Sequence, residues 1–318
     1  VEIFKGPQSM AYGPNSMAGS ISLKTMDPSP IKSLNTLATV GNDNLFQCGI
    51  VLNTPIRKSI LTRFAFFLSE SDGHRTNTYL NSNSSNQRSE MIFRAKARIY
   101  PRKNFIMDIN AVYSNMDNGY DVWSPDNNIN LDTYSNREGK DSQVTNSISI
   151  KNTFTNIGSF NLISISTRSI NSMEHSYDGD WGNTNYWGWA YDYYDKTLRT
   201  RDTFTKELRL VSSDDITNPS IALGIFYRNI NEKDSTSGWL FDGDTEFTGN
   251  FNINSIAGYA QIRFPLFESL TSELSVRAEN SSNDYSGISE VNITNWDTYE
   301  ITTYSNEITH RNEDNLFG

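Results

Sequence analysis

Over most of the chain, apolar side chains recur at every second position. Met91, Phe93, Ala95, Ala97 and Ile99 share one face, with Arg94, Lys96 and Arg98 on the other. Val144, Ile148, Ile150 and Phe154 oppose Thr145, Ser147, Ser149, Lys151 and Thr153. Phe204, Leu208 and Leu210 oppose Thr205, Glu207 and Arg209, and Leu270, Leu274, Val276 and Ala278 oppose Thr271, Glu273, Ser275, Arg277 and Glu279. A period of two predicts β-strands with one dry and one wet face. The pattern places strands at 33–41, 45–53, 60–69, 90–99, 106–115, 144–154, 158–171, 203–212, 220–231, 252–264 and 270–282. Residues 315–318 look like the opening of one more, so about eleven or twelve strands are expected.

Alternation alone fits two architectures. In a β-sandwich the apolar faces meet a second sheet; in a membrane barrel they meet lipid, and the polar faces line a wet lumen. The links separate the two. Those at 54–59, 100–105, 155–157, 213–219 and 265–269 are short, and those at 70–89, 116–143, 172–202 and 232–251 are long. Only the tip around Asn42, Asp43 and Asn44 is short on the long-loop side. In an up-and-down meander every second link lies on the same side, so one rim carries tight turns and the other long loops, as in outer-membrane barrels. Loops of this length are uncommon in compact domains and are usually functional.

Composition narrows the picture further. A formal net charge of -10 with 20% charged residues, and no basic run, argues against a nucleic-acid partner. The mean hydropathy is -0.56, and no apolar stretch approaches the length of a membrane helix. A membrane barrel shows lipid only every second residue, so the low hydropathy does not count against one. Cys48 is the single cysteine and has no partner for an internal disulfide.

The first residues carry a separate motif. Glu2 to Lys5 is a short strand ended by Gly6-Pro7; Tyr12-Gly13 and Ala18-Gly19 follow; Ile21, Leu23 and Thr25 then alternate with Ser20, Ser22 and Lys24. Spaced in this way, Gly6, Pro7, Tyr12, Gly13 and Gly19 resemble the end of the plug domain of TonB-dependent outer-membrane receptors, although Ala18 and Ser22 depart from the commoner Gly and Asn. Phe204 to Leu210, Leu223 to Tyr227, Ala257 to Gln261 and Leu274 to Arg277 are similar to recurring barrel strands of the same receptors. The resemblance implies an all-β fold: the C-terminal end of a plug at residues 1–30, then at 31–318 the N-terminal half of an antiparallel transmembrane barrel of roughly 22 strands. It also implies energy-coupled uptake of a nutrient, such as an iron–siderophore complex, across the outer membrane of a Gram-negative bacterium. The partners would be a TonB-type periplasmic coupling protein, whose contact segment the chain lacks, outer-membrane lipid and the ligand. A half-barrel leaves two unpaired edges, so the chain alone is expected not to transport.

No enzyme signature is evident, and no cofactor or metal site is expected. His74, His175 and His310 are scattered. The loop 172–202 is the candidate ligand site, because Trp181, Tyr186, Trp187, Trp189, Tyr191 and Tyr193 offer flat faces with polar tips. The same rings could instead form an aromatic girdle or pack the loop on its neighbours. Asp178-Gly179-Asp180 and Asp242-Gly243-Asp244 are either ordinary turns or oxygen donors for Ca²⁺. A secreted glycan-binding β-sandwich and an outer-membrane barrel enzyme remain as alternatives.

Overall fold

The structure is a computed structural model that describes residues 1–6, 18–189, 192–213, 219–240, 243–267 and 270–317. β1 (Glu2–Lys5) and β2 (Gly19–Ser22) form a small antiparallel pair. The rest of the fold is one antiparallel sheet of twelve strands. In chain order these are β3 (Ser33–Val40), β4 (Phe46–Arg57), β5 (Ile60–Ser71), β7 (Arg88–Arg102), β8 (Phe105–Gly119), β10 (Lys140–Ile157), β11 (Phe160–Asp178), β12 (Tyr194–Ser212), β13 (Ser220–Leu240), β14 (Gly243–Phe267), β15 (Leu270–Asn295) and β16 (Glu300–Phe317). Each pairs with the next, and β3 and β16 are the edges. The loops between β5 and β7 and between β8 and β10 meet in a short parallel bridge, β6 (Thr76–Asn77) with β9 (Asp132–Thr133).

Tight links on one rim join β4 to β5, β7 to β8 and β10 to β11 through residues 58–59, 103–104 and 158–159. The opposite rim carries the long links 72–87, 120–139 and 179–193. The expected loop at 232–251 is instead strand, since β13 runs to Leu240 and β14 begins at Gly243. Residues 300–317 likewise form a full strand rather than the opening of one. In both places polar residues occupy both faces, which hides the period of two without preventing ladder pairing.

The sheet is inside out relative to a soluble protein. Among the described residues only Leu61 and Ala257 are buried hydrophobics, whereas eighteen polar or charged residues are buried. The apolar faces of the strands lie open, with Ile225 58% and Leu274 63% exposed, and no second layer covers them. The polar face receives the chain's own N-terminal segment. The Lys96 ammonium donates to the Thr25 carbonyl at 3.0 Å, and Asp27 pairs with Lys96 and Arg98, each at 3.3 Å. Asn53, fully buried, exchanges hydrogen bonds with the Ser29 backbone at 2.9 and 3.0 Å.

The apolar stripe shifts from strand to strand. Straight across the sheet from Ala95 lie Ala111, Ile148, Arg168, Phe204, Asn229 and Asn254. The outward apolar residues centre on Ala95 in β7 but on Ala260 in β14, six positions nearer the turn rim after six steps between strands. A level belt on strands tilted about 40° and spaced about 4.8 Å must slip by about 4 Å, or about 1.2 residues, per strand. The shift of about one residue per strand between β7 and β14 matches a level belt crossed by tilted strands, with β11 the exception, since it carries Ser164, Ser166 and Arg168 on the same face at that level. A sandwich core has no reason to drift in this way.

Ile225 lies one position from the belt centre on β13, and Ile288 lies far to the loop side on β15. Ile225→Arg is expected to cost about 2–4 kcal/mol, and Ile288→Arg no more than about 1 kcal/mol, by reversible denaturation of the intact protein in phospholipid vesicles. Equal costs at the two positions would refute the belt.

Candidate functional site

The three long loops interlock above the sheet around buried carboxylates. Asp121, 4% exposed, accepts from Asn77 Nδ2 at 2.8 Å, Thr133 Oγ1 at 2.6 Å and Ser135 Oγ at 2.9 Å. It thus ties loop 72–87 to loop 120–139. Asp178, at the upper end of β11 and well above the belt, accepts at one oxygen from the backbone N–H groups of Asn136 (3.0 Å) and Arg137 (3.2 Å), and at the other from those of Asp180 and Trp181. Asp180 accepts from Gly182 and Tyr193 backbone N–H groups, each at 2.9 Å, and from the Trp187 indole at 3.1 Å. The carboxylates of the Asp178-Gly179-Asp180 turn are therefore committed to loop donors. The turn Asp242-Gly243-Asp244 begins outside the described residues.

Loop 179–193 holds one helical turn, α1 (Thr184–Trp187). Asn183 caps it by accepting from the Asn185 and Tyr186 N–H groups, while its own amide donates to the Tyr134 carbonyl at 2.6 Å. The same cap residue thus joins loops 179–193 and 120–139.

The predicted aromatic residues lie in this layer and mostly meet other rings. Trp181 stacks on Trp123 with centroids 5.8 Å apart, and Tyr186 stacks on Tyr134 at 4.9 Å. Trp187 meets Tyr186 edge to face, as Tyr193 meets Tyr177. Tyr193 also lies over Gly179, where any Cβ would collide with its ring. Trp189 is 59% exposed, and Trp181, Tyr186 and Trp187 are each more than a third exposed. Tyr191 lies outside the described residues. Each stacked pair therefore joins two loops while part of its rings stays exposed. In the plug-like motif, β1 pairs with β2, and Gly19 adopts φ +142° where a Cβ would strike the Phe4 carbonyl. Gly6, at φ +81°, donates to the Ala18 carbonyl at 3.3 Å; Pro7, Tyr12 and Gly13 lie outside the described residues.

Electrostatics reinforce the interlock. Arg137 grips Asp192 through two nitrogens and lies 5.1 Å over the Tyr194 ring, which holds the Asp192 carboxyl below its ordinary value. Burial, and then the neighbouring Asp180 charge, push Asp178 up to about 7 despite its N–H donors. Sequence reasoning missed Asp121 because its donors stand 44, 12 and 14 positions away.

Three solved structures share the fold. The ferric yersiniabactin uptake receptor FyuA from Yersinia pestis superposes with a TM-score of 0.75 at 14% identity, covering 99% of this chain and 48% of FyuA. The ferric-catecholate import receptor Fiu from E. coli K12 gives 0.68 at 10% identity, covering 98% and 51%. The siderophore receptor PiuA from Acinetobacter baumannii gives 0.63 at 11% identity, covering 98% and 50%. No protein-family model matches the chain. The chain has the barrel-wall fold of TonB-dependent receptors and spans about half the length of the structures it matches.

Asp121→Ala strands three buried donors and should cost about 3 kcal/mol, read as faster hydrogen exchange and proteolysis in loops 72–87 and 120–139 with the barrel intact. Asp178 binds its proton more tightly folded than unfolded, so its stabilising effect is complete below about pH 4 and fades as pH rises through about 7. Loops 120–139 and 179–193 should therefore lose protection from pH 5 to pH 8, and Asp178→Asn should flatten that slope.

Proposed function

We propose that the chain is the end of the plug, at residues 1–30, and the first half of the barrel, at 31–318, of a TonB-dependent receptor. In this reading the receptor sits in the outer membrane of a Gram-negative bacterium and imports a nutrient such as a ferric siderophore. A periplasmic coupling protein of the TonB type would pull on the plug, and the wall would provide a fixed frame for that movement. The receptor makes and breaks no covalent bond. The observation that carries the reading is the belt: its slip across β7 to β14 fits a tilted membrane wall, and the neighbours with that wall are uptake receptors. The glycan-binding sandwich has lost its support, since the apolar faces meet no second sheet.

Trp181, Tyr186, Trp187, Trp189 and Tyr193 are assigned to the ligand-facing rim of the loop layer, and Tyr191, outside the described residues, is assigned to the ligand site by sequence alone. The exposed ring surface left by the Trp181–Trp123 and Tyr186–Tyr134 pairs suits a flat ligand surface. In the full-length receptor, Trp181→Ala with Trp189→Ala should weaken binding of the transported complex by about tenfold, equivalent to about 1.4 kcal/mol. Unchanged affinity, with normal folding, would remove these rings from the site while leaving the wall untouched. Loss of growth on the complex when the coupling protein is deleted tests the energy source.

A further inference from the structure

Before it enters the wall at Ser33, the chain runs across the strands rather than along them. Ser33, Asn53, Arg63 and Lys96 stand in one row on the polar face, on β3, β4, β5 and β7 in turn. Residues 25–31 follow that row. Asn53 holds Ser29 and Ile31, the Arg63 guanidinium reaches the Met26 sulfur at 3.5 Å, and Lys96 donates to the Thr25 and Met26 carbonyls at 3.0 and 3.2 Å. Asp27 closes the far end on Lys96 and Arg98, and Arg98 is fixed in turn by Asp108 of β8 at 2.6 Å.

The sequence explains why side chains do the holding. In Asp27-Pro28-Ser29-Pro30 each proline fixes φ and lacks an N–H, so the segment is stiff and extended but cannot donate to a ladder at either proline. Ser29 keeps the one N–H between Pro28 and Pro30. The Asn53 amide accepts from that N–H at 3.0 Å and donates to the Ser29 carbonyl at 2.9 Å, as the peptide of a neighbouring strand would. It also donates to the Ile31 carbonyl at 2.5 Å, and both Asn53 and Pro28 are buried.

This layout decides where a tug on the N-terminal end is felt. Without these contacts the force would act first on Ser33 and open the β3–β4 ladder one pair at a time. With them it falls on Asn53, Lys96 and Arg98, which belong to β4 and β7, strands paired on both sides. Several bonds, some of them charge-assisted, must then fail together. We propose that residues 25–31 are a load-bearing strap, which stops a pull on the plug at Thr25 and keeps β3 in the wall. The source of the pull rests on the receptor reading above; the strap itself does not.

The test holds the full-length protein in a phospholipid bilayer, pulls its N-terminus at constant force and records length against time. Extension should pause when Thr25 is reached, before β3 leaves; each residue freed later adds about 3.5 Å, so release of 25–32 and of β3 can be told apart. Asp27→Ala and Asn53→Ala should each shorten the pause about tenfold, since forced release follows the unfolding rate, and together they should let β3 peel away with no pause. Heat-modifiable mobility checks that the variants fold. If Asn53→Ala does not, Asp27→Ala decides the matter, because that side chain is 37% exposed and its loss leaves Asn53 in place. A pause equally long in the folded variants, or β3 leaving the wild-type wall in the same step as residues 25–32, would overturn the strap. A pause with no extension before it would count against the plug and leave the strap standing.

Discussion

Hydrocarbon offers no hydrogen bonds, so every backbone N–H and C=O within it must find a partner in the protein. In the proposed receptor the rest of the structure follows from that constraint. From β3 to β16 each strand pairs with its neighbour in sequence, in long uninterrupted registers. The small irregularities fall near the tight-turn rim, as at Pro55 and Pro265, where a proline that cannot donate does least harm. Once the ladder satisfies the backbone, side chains are released from making a dry core. Apolar residues can then turn outward, and buried positions fall to residues such as Asn53, Ser255 and Glu279.

Tilt is the second consequence. Because the belt slips toward the turn rim at each step, the later strands project farther on the loop side. β13, β14 and β15 reach 21, 25 and 26 residues, against 12 in β4 and β5. Their upper parts lie beyond the apolar belt and carry polar residues on both faces. The outward asparagines there bond to one another, Asn229 to Asn254 at 2.8 Å and Asn254 to Asn252 at 2.6 Å.

This explains what could be seen in the sequence. Within the belt one face is greasy and one is wet, so the stripe on 91–99 or on 204–210 reports both the strand and its facing. Beyond the belt the same backbone carries no such contrast, and 232–251 and 300–314 looked like loop or went unread. The aromatic loop was legible by composition, yet the partners of its rings were not. Trp123 and Tyr134 come from a different loop, and no local spacing links them to Trp181 and Tyr186. Asp121 had no signal at all, being one acid whose meaning lies in three distant donors.

The lumen face carries the last step. On β12 and β13, Arg199 bonds to Asp234 at 2.6 Å and Arg201 pairs with Glu232. Lower down, Arg209 joins Glu207 and the Tyr259 hydroxyl, and Arg277 joins Glu279 at 2.7 Å. Most charges on this part of the wall therefore meet an opposite charge within the wall. Around β5 and β7 the face is basic, with Arg63, Arg94, Lys96 and Arg98, and there the chain supplies Asp27 from its own N-terminal segment. Asp108 of the wall also answers Arg98 at 2.6 Å, but among the described residues Arg63 and Arg94 meet no carboxylate. The face is thus matched internally from β12 to β15 and keeps a positive excess beside the N-terminal segment. In the proposed receptor that excess would hold the acidic end of the plug against β5 and β7, while the matched part of the wall presents no strong field of one sign to a plug shifting past it.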